Sequence, residues 1–350
     1  MFAQLGFADF DDHEALHLFS DPDTGLSAII AIHSTALGPA AGGTRFWHYA
    51  DPNAAITDAL RLSRGMSYKN AMAGLPMGGG KAVILANQSG DKSDALIRAF
   101  ARRVESLGGA YVTAQDVGMS AADMITISKE TRYVAGLPVA GSGAGGDPGP
   151  STAYGVYLGV CAAAKHIFGT DDMAGVHVAV QGVGSVGGGL ARHLAKAGAT
   201  LTIADVNFDR AVALASELGA TAVAADAIMT VDADILSPCA LGAILTPTSI
   251  AALRVKGVAG GANNQLSTLA DGDLLNARNI LFAPDYVINA GGIINVSLQY
   301  LGQGNAAEVE ARVSEIPTRL TQIWRESDAT KRAPGRVADA LAQSLIGRTV

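Results

Sequence analysis

Val176-His177-Val178-Ala179-Val180-Gln181-Gly182-Val183-Gly184-Ser185-Val186-Gly187 joins a short apolar, valine-rich run to a glycine-rich turn, and a helical pattern continues from it to about Ala197. A second strand pattern follows, Thr200-Leu201-Thr202-Ile203-Ala204, ending in Asp205. A G-x-G-x-x-G alone matches many glycine turns by chance. Here the strand before it, the helix after it and the acid closing the next strand are all present, which is the βαβ signature of a Rossmann dinucleotide-binding domain. Gly182, Gly184 and Gly187 let the backbone approach a pyrophosphate, and the helix opening at Ser185 and Val186 offers unpaired amides and a partial positive charge. Asp205 is expected to accept hydrogen bonds from the adenosine ribose hydroxyls and to repel a 2′-phosphate, favouring NAD over NADP. Its competing role is a cap for the helix after Asn207.

Upstream, Ala140-Gly141-Ser142-Gly143-Ala144-Gly145-Gly146-Asp147-Pro148-Gly149-Pro150 is the best candidate for a linker and hinge. Ser151 or Thr152 is then expected to cap an apolar helix running to Phe168. The first half of the chain has its own alternation of strand and helix patterns. Residues 27–36 read as a strand, and Asp51-Pro52 supplies an N-cap and a proline at the first helical position. Strand 82–86, a helix from about Lys92 to Leu107 and strand 110–114 complete it. The fold expected is α/β, with two domains separated by a cleft. Residues 1–145 form a substrate-binding and catalytic domain, with a tail from about 330–350 packing back on it, and 146–329 form the Rossmann domain.

A chain of 350 residues can hold two cores, and 49% hydrophobic against 16% charged residues points to much buried surface, including subunit contacts. The net charge of −7 and the lack of a basic run give no reason to expect nucleic acid or an anionic membrane as partner. Met1-Phe2-Ala3-Gln4-Leu5-Gly6-Phe7 has neither the basic nor the apolar segment of a secretory signal, and no stretch reaches membrane-span length, so the expected location is cytoplasmic. Cys161 and Cys239 lack metal-ligand spacing with any histidine and read as reduced thiols; no metal site is expected. His33, in the strand-like run Ala28-Ile29-Ile30-Ala31-Ile32-His33, reads as structural.

The chemistry-bearing stretch is Gly65-Met66-Ser67-Tyr68-Lys69-Asn70-Ala71-Met72-Ala73-Gly74-Leu75-Pro76-Met77-Gly78-Gly79-Gly80-Lys81. Lys69 sits in a helical pattern and Lys81 opens an apolar run, so Pro76 to Gly80 is expected to fold the chain back and bring two ammonium groups into one pocket. A carboxylate, Asp116, follows the strand run Ala110-Tyr111-Val112-Thr113. Two cations and one carboxylate suit chemistry on an amino or keto acid. An ordinary strand-entry turn with solvated lysines is the competing reading of this segment alone.

With these segments in order, the chain resembles the amino acid dehydrogenase superfamily of glutamate, leucine, valine and phenylalanine dehydrogenases, most closely the leucine and valine branch. The resemblance runs through Gly38-Pro39-Ala40-Ala41-Gly42-Gly43, both lysine segments, Asp116-Val117-Gly118, the Rossmann turn, Ser237-Pro238-Cys239-Ala240-Leu241-Gly242, Gly261-Ala262-Asn263-Asn264-Gln265-Leu266 and Ala283-Pro284-Asp285-Tyr286-Val287-Ile288-Asn289-Ala290-Gly291-Gly292. It implies that Lys81 is the catalytic lysine, Asp116 the proton-transferring carboxylate, and Lys69, with Gly42 and Gly43, part of the substrate site. Asn263 or Asn264 would lie near the nicotinamide and substrate; Asn263 is assigned to the cofactor and Asn264 to the substrate. Ala240, Leu241 and Thr152 are implied cofactor neighbours. The chain departs from the leucine enzymes at Gln115 and Met119, and its shorter C-terminus speaks against their octamer while leaving a homo-oligomer expected.

Ala41 bears on the substrate, because glutamate dehydrogenases carry a lysine there to pair with the side-chain carboxylate. An alanine leaves a buried charge unpaired. Ala41, Ala114, Ile293 and Val296 are implied to line a pocket for an aliphatic side chain. The expected reaction is NAD-dependent oxidation of a branched-chain L-amino acid to its 2-oxo acid and ammonia. Alternatives are an aromatic amino acid dehydrogenase and a non-catalytic NAD-binding protein; a 2-hydroxy acid dehydrogenase would need a histidine beside a carboxylate, for which no pattern exists.

Overall fold

In a computed structural model, residues 6, 7, 9–87, 90–138 and 143–348 are described. The N-terminal residues 1–5 and positions 140–142 of the linker candidate lie outside them. The chain divides into two compact units, Met1–Asp147 with Asn295–Ala306 and Ala342–Val350, and Pro148–Ile294 with Ala307–Leu341.

The first unit is built on a five-stranded sheet. Its strands are β1 (Ala15–Asp21), β2 (Leu26–Ser34), β3 (Ala40–Trp47), β4 (Gly78–Leu85) and β5 (Tyr111–Gln115), in the order β1-β2-β4-β3-β5. β3 lies parallel to both β4 and β5, while β2 is antiparallel to β1 and β4. Period-two alternation splits the apolar side chains between the two faces. Ile29, Ala31 and Val83 face helix α1 (Pro52–Met72), packing on its Ala55, Ala59 and Leu60. Ile30, Ile32, Ala82, Ile84 and Tyr111 face α2 (Asp94–Ser106), packing on Leu96, Ile97, Phe100 and Val104. Each helix starts where the sequence supplies a cap. The Asp51 carboxylate accepts from the Asn53 amide with Pro52 in the first turn, and the Ser93 hydroxyl accepts from the Leu96 amide. A third helix, α3 (Ala121–Ser128), carries a full capping box between Ser120 and Asp123.

One expectation is corrected here. Gly78, Gly79 and Gly80 belong to β4 and not to the turn, which is confined to Ala73–Met77. Gly38–Gly43 leads into β3, which lies between β4 and β5. The cause is steric. A Cβ on Gly79 would lie 2.0 Å from the Ser67 amide nitrogen of α1, and one on Gly80 would lie 2.7 Å from the Tyr111 ring. These glycines permit close packing on both sides of the sheet.

The second unit begins with α4 (Gly149–Phe168). Its N-cap position is Pro148, so neither Ser151 nor Thr152 caps it; the Thr152 hydroxyl donates to the Pro148 carbonyl from inside the first turn. A six-stranded parallel sheet follows, formed by β6 (His177–Gln181), β7 (Thr200–Ala204), β8 (Thr221–Ala222), β9 (Ile235–Pro238), β10 (Gly257–Val258) and β11 (Leu281–Phe282). The spatial order β11-β10-β9-β6-β7-β8 places β9, β10 and β11 on one side of β6, and β7 and β8 on the other. That is the doubly wound order with its switch point between β6 and β9. α5 (Ser185–Lys196) joins β6 to β7, and α6 (Phe208–Leu218) joins β7 to β8. No helix among the described residues is long and apolar enough to cross a membrane.

Candidate active site

In the first unit, strand alternation sends Lys81 to the same face as Val83, the face covered by α1. Lys81 is 5% exposed and forms an ion pair with Asp116. Asp116 follows β5 and reaches β4 because β3, which separates the two strands, is glycine there. A Cβ on Gly43 would lie 2.8 Å from the Asp116 Cβ, and one on Gly42 would lie 1.7 Å from the Gly80 carbonyl oxygen. Gly42 and Gly43 thus clear the space over which the lysine and the carboxylate meet. The Asp116 loop is fixed by the Val117 amide donating to Asp116 Oδ1 at 2.6 Å and by the Gln115 side-chain amide donating to the Met119 carbonyl at 3.1 Å. Met119 itself is buried. Gln115 and Met119 therefore close the loop.

Burial pushes the Lys81 ammonium down to about 7; Arg45 adds to the fall, Asp58 opposes it, and Lys69 adds to it. Lys69 is half-buried on the last turn of α1. Ala41 is buried on β3, where it pairs with Gly79 and Val112, and Ala114 pairs with Gly43. Val296 is buried, with Gly136 close to it. His33 is fully buried, its ring engaged by Ser67, Asp11 and Arg348, and serves as a structural residue. Sequence reasoning passed over Arg45, which lies 4.0 Å from Asp116, and its partner Asp58, which also accepts from Tyr49; a charged residue inside an otherwise buried glycine-rich strand was the available signal.

In the second unit each glycine of the turn has its own reason. Gly182 has φ +84°, a left-handed conformation, and a Cβ there would strike that of Ala240 at 2.6 Å. Gly187 packs so tightly that its Cβ would lie 1.9 Å from the Gly182 carbonyl oxygen. Gly184 is the exception, exposed and with nothing within 4 Å of an added Cβ. It is also the N-cap of α5 and gives no side-chain cap, so the exposed Ser185 and half-buried Val186 begin a helix with no side chain over its N-terminus. Open space at the second glycine and an uncapped helix N-terminus fit the pyrophosphate of a dinucleotide.

Asp205, 8% exposed, accepts from the Val183 amide at 2.9 Å and from the Asn207 amide at 2.8 Å, tying the glycine turn to the end of β7. Asn207, not Asp205, caps α6. Arg210 Nη1 lies 3.9 Å from Asp205. Ala240 and Leu241 follow β9 and are exposed. The Asn263 side chain accepts from Asn289 at 2.8 Å, while Asn264 is exposed with φ +51°, which asparagine tolerates better than most residues. Ile293 is half-buried, and Thr152 lies beside Gly292, whose added Cβ would meet the Thr152 hydroxyl at 2.7 Å. Both cysteines are free thiols, and no group of three His, Cys, Asp or Glu among the described residues could hold a metal.

Comparison with known proteins agrees with this arrangement. Residues 13–133 match the Glu/Leu/Phe/Val dehydrogenase dimerisation domain, and 204–344 match the Glutamate/Leucine/Phenylalanine/Valine dehydrogenase family. The chain is 47% identical to leucine dehydrogenase of Bacillus subtilis (strain 168) over 96% of its own length and 92% of the relative's. It is also 47% identical to leucine dehydrogenase of Thermoactinomyces intermedius, over 96% and 91% respectively. The crystal structure of L-tryptophan dehydrogenase from Nostoc punctiforme superposes with a TM-score of 0.87 at 40% identity, covering 99% of this chain and 98% of that one. With two α/β units, a dinucleotide turn in one and a buried lysine against a carboxylate in the other, the chain belongs to the Glu/Leu/Phe/Val dehydrogenase family, the NAD(P)-dependent amino acid oxidoreductases.

Proposed function

We propose that the protein catalyses the reversible NAD-dependent oxidative deamination of branched-chain L-amino acids to 2-oxo acids and ammonia. The observation that carries the reading is the buried Lys81 against Asp116, in a chain whose similar relatives are leucine dehydrogenases. A bound nicotinamide dinucleotide supplies the hydride acceptor. Lys69 binds the substrate carboxylate. Lys81, with its ammonium destabilised, takes a proton from water at moderate pH and in its charged form stabilises the oxyanion that develops on the former α-carbon. Asp116 carries protons to and from the substrate nitrogen.

Ala41, Ala114 and Val296 offer only hydrocarbon, so a substrate side-chain carboxylate would find no cation there. Asp205 favours NAD. The partners are the amino acid, its 2-oxo acid and ammonia, and the segment matching a dimerisation domain supports a homo-oligomer. An aromatic substrate is the second reading, favoured by the small Ala41 and by the likeness to a tryptophan dehydrogenase. The test is NADH formation from a panel of L-amino acids at alkaline pH with wild type and Lys81→Met. Turnover of leucine, valine and isoleucine that vanishes in the variant, with NAD binding retained, is the expected result; wild-type turnover by Lys81→Met overturns the assignment.

A further inference from the structure

Arg45 lies on β3 two residues beyond Gly43, and its guanidinium stands between two carboxylates. Nη1 is 2.6 Å from Asp58 Oδ2, and Nη2 is 4.0 Å from Asp116 Oδ2. The Tyr49 hydroxyl donates to the same Asp58 oxygen. Asp58 is on α1, the helix that carries Lys69. Arg45 and Asp58 also line a cavity of about 570 Å3, together with Trp47, Tyr49 and Arg61 among others. Asp116 therefore has two cationic neighbours, Lys81 in contact and Arg45 one step further out.

The difference between those two cations matters. A guanidinium stays protonated throughout the working pH range, whereas a buried ammonium can lose its proton. When Lys81 becomes neutral, Asp116 would be left as an unpaired charge in a largely enclosed place, which costs several kcal/mol if nothing replaces the partner. The second cation removes that penalty. We propose that Arg45 is a positioning residue for the Lys81–Asp116 pair, holding the Asp116 carboxylate in place while Lys81 releases its proton, with Asp58 setting how much of the guanidinium charge Asp116 feels.

The groups acting on Lys81 come from each neighbouring element. Asp116 follows β5, Arg45 is on β3, and Asp58 and Lys69 are on α1. On the same helix Arg61 and Arg64 face Asp9, and Tyr68 accepts from Gln343. β2 contributes His33, already held by Ser67, Asp11 and Arg348. Arg45 and Asp58 act on Lys81 with opposite signs, and that opposition is testable.

The inference rests on the proposed deaminase reading for its catalytic meaning, but its test does not need turnover. Competitive acetylation with acetic anhydride, read by mass spectrometry on the Lys81 peptide across pH, gives the titration midpoint of that lysine in the full-length protein. Arg45→Gln is expected to raise the midpoint by about one unit or more, Asp58→Asn to lower it, and Arg45→Lys to return it toward wild type. In parallel, Arg45→Gln should move the acid limb of kcat/KM for L-leucine upward while leaving the KM for NAD unchanged. Equal midpoints in the three variants, or shifts of the same sign for Arg45→Gln and Asp58→Asn, overturn the proposal. Opposite shifts in a protein that oxidises no L-amino acid would uphold the charge relation and refute the deaminase reading instead.

Discussion

Replacing Gly42 by alanine tests whether the glycines of β3 are there to let β4 and the Asp116 loop approach. The added methyl would sit 1.7 Å from the Gly80 carbonyl oxygen, 2.7 Å from its carbon and 3.4 Å from Met66 Cγ. The first two atoms are backbone in a paired central strand and cannot swing aside as a side chain could. Forced overpacking costs about 1–3 kcal/mol, which at roughly 2–4 °C per kcal/mol for a unit of this size lowers the unfolding midpoint by about 2–12 °C. The upper end is expected, since the strands themselves must part. Gly80 precedes Lys81, so a displacement on the order of 1 Å there also misplaces the lysine and should lower kcat/KM roughly 100-fold. Gly65→Ala is the internal control: this glycine is inside α1, four residues before Lys69, with nothing within 4 Å of an added Cβ. Its replacement should stabilise by about 0.4–1 kcal/mol with kcat/KM unchanged. Thermal unfolding and initial rates on the two variants decide the matter. A Gly42→Ala protein as stable and as active as Gly65→Ala would refute the close-approach reasoning.

Lys69→Met should raise the KM for the amino acid far more than it lowers kcat, and steady-state kinetics showing the reverse split would move Lys69 out of carboxylate binding. NAD should outperform NADP at least about 10-fold in kcat/KM, because a clash of only about 1.4 kcal/mol between Asp205 and a 2′-phosphate suffices. Arg210, 3.9 Å from Asp205, softens that clash, so Arg210→Ala should widen the ratio; equal use of both cofactors by wild type would place Asp205 away from the ribose. Ala41→Leu should shift preference from leucine toward valine by filling space beside Gly79 and Val112, with changes of about 1–3 kcal/mol per methylene. An unchanged substrate ranking would remove Ala41 from the side-chain pocket.

The two units differ in how much of their sites the sequence displays. In the second unit β6, the glycine turn, α5, β7 and Asp205 are contiguous, so the pattern can be read from neighbours in the chain. The first unit hides its logic in register. Gly78, Gly79 and Gly80 look like turn residues because a run without side chains shows no alternation; that they form a strand depends on Ser34, Ser67 and Tyr111, which belong to β2, α1 and β5 and not to their own neighbourhood in the chain. Thr152 looked like a cap because the proline-rich start of α4, which needs no side-chain cap in its first turn, resembles a breaker. Arg45 was invisible as a partner of Asp116 because its neighbours come from α1 and from the loop after β5.

The charges around Lys81 lead to one more consequence. Lys69, Lys81 and Arg45 stand against Asp58 and Asp116, three cations to two anions, and the set balances when Lys81 is neutral. A substrate carboxylate bound at Lys69 adds an anion and offsets the push that Lys69 exerts on Lys81. Binding a carboxylate should therefore raise the Lys81 titration midpoint above that of the free protein. 4-Methylpentanoate isolates the effect, since it has the carboxylate and branched chain of leucine but no amino group of its own to titrate. Saturating 4-methylpentanoate is expected to move the Lys81 acetylation midpoint upward in wild type and to leave it unmoved in Lys69→Met. If the midpoint falls in wild type, or rises equally in Lys69→Met, the carboxylate does not bind at Lys69, and the charge balance that makes Lys81 a base has been drawn from the wrong groups.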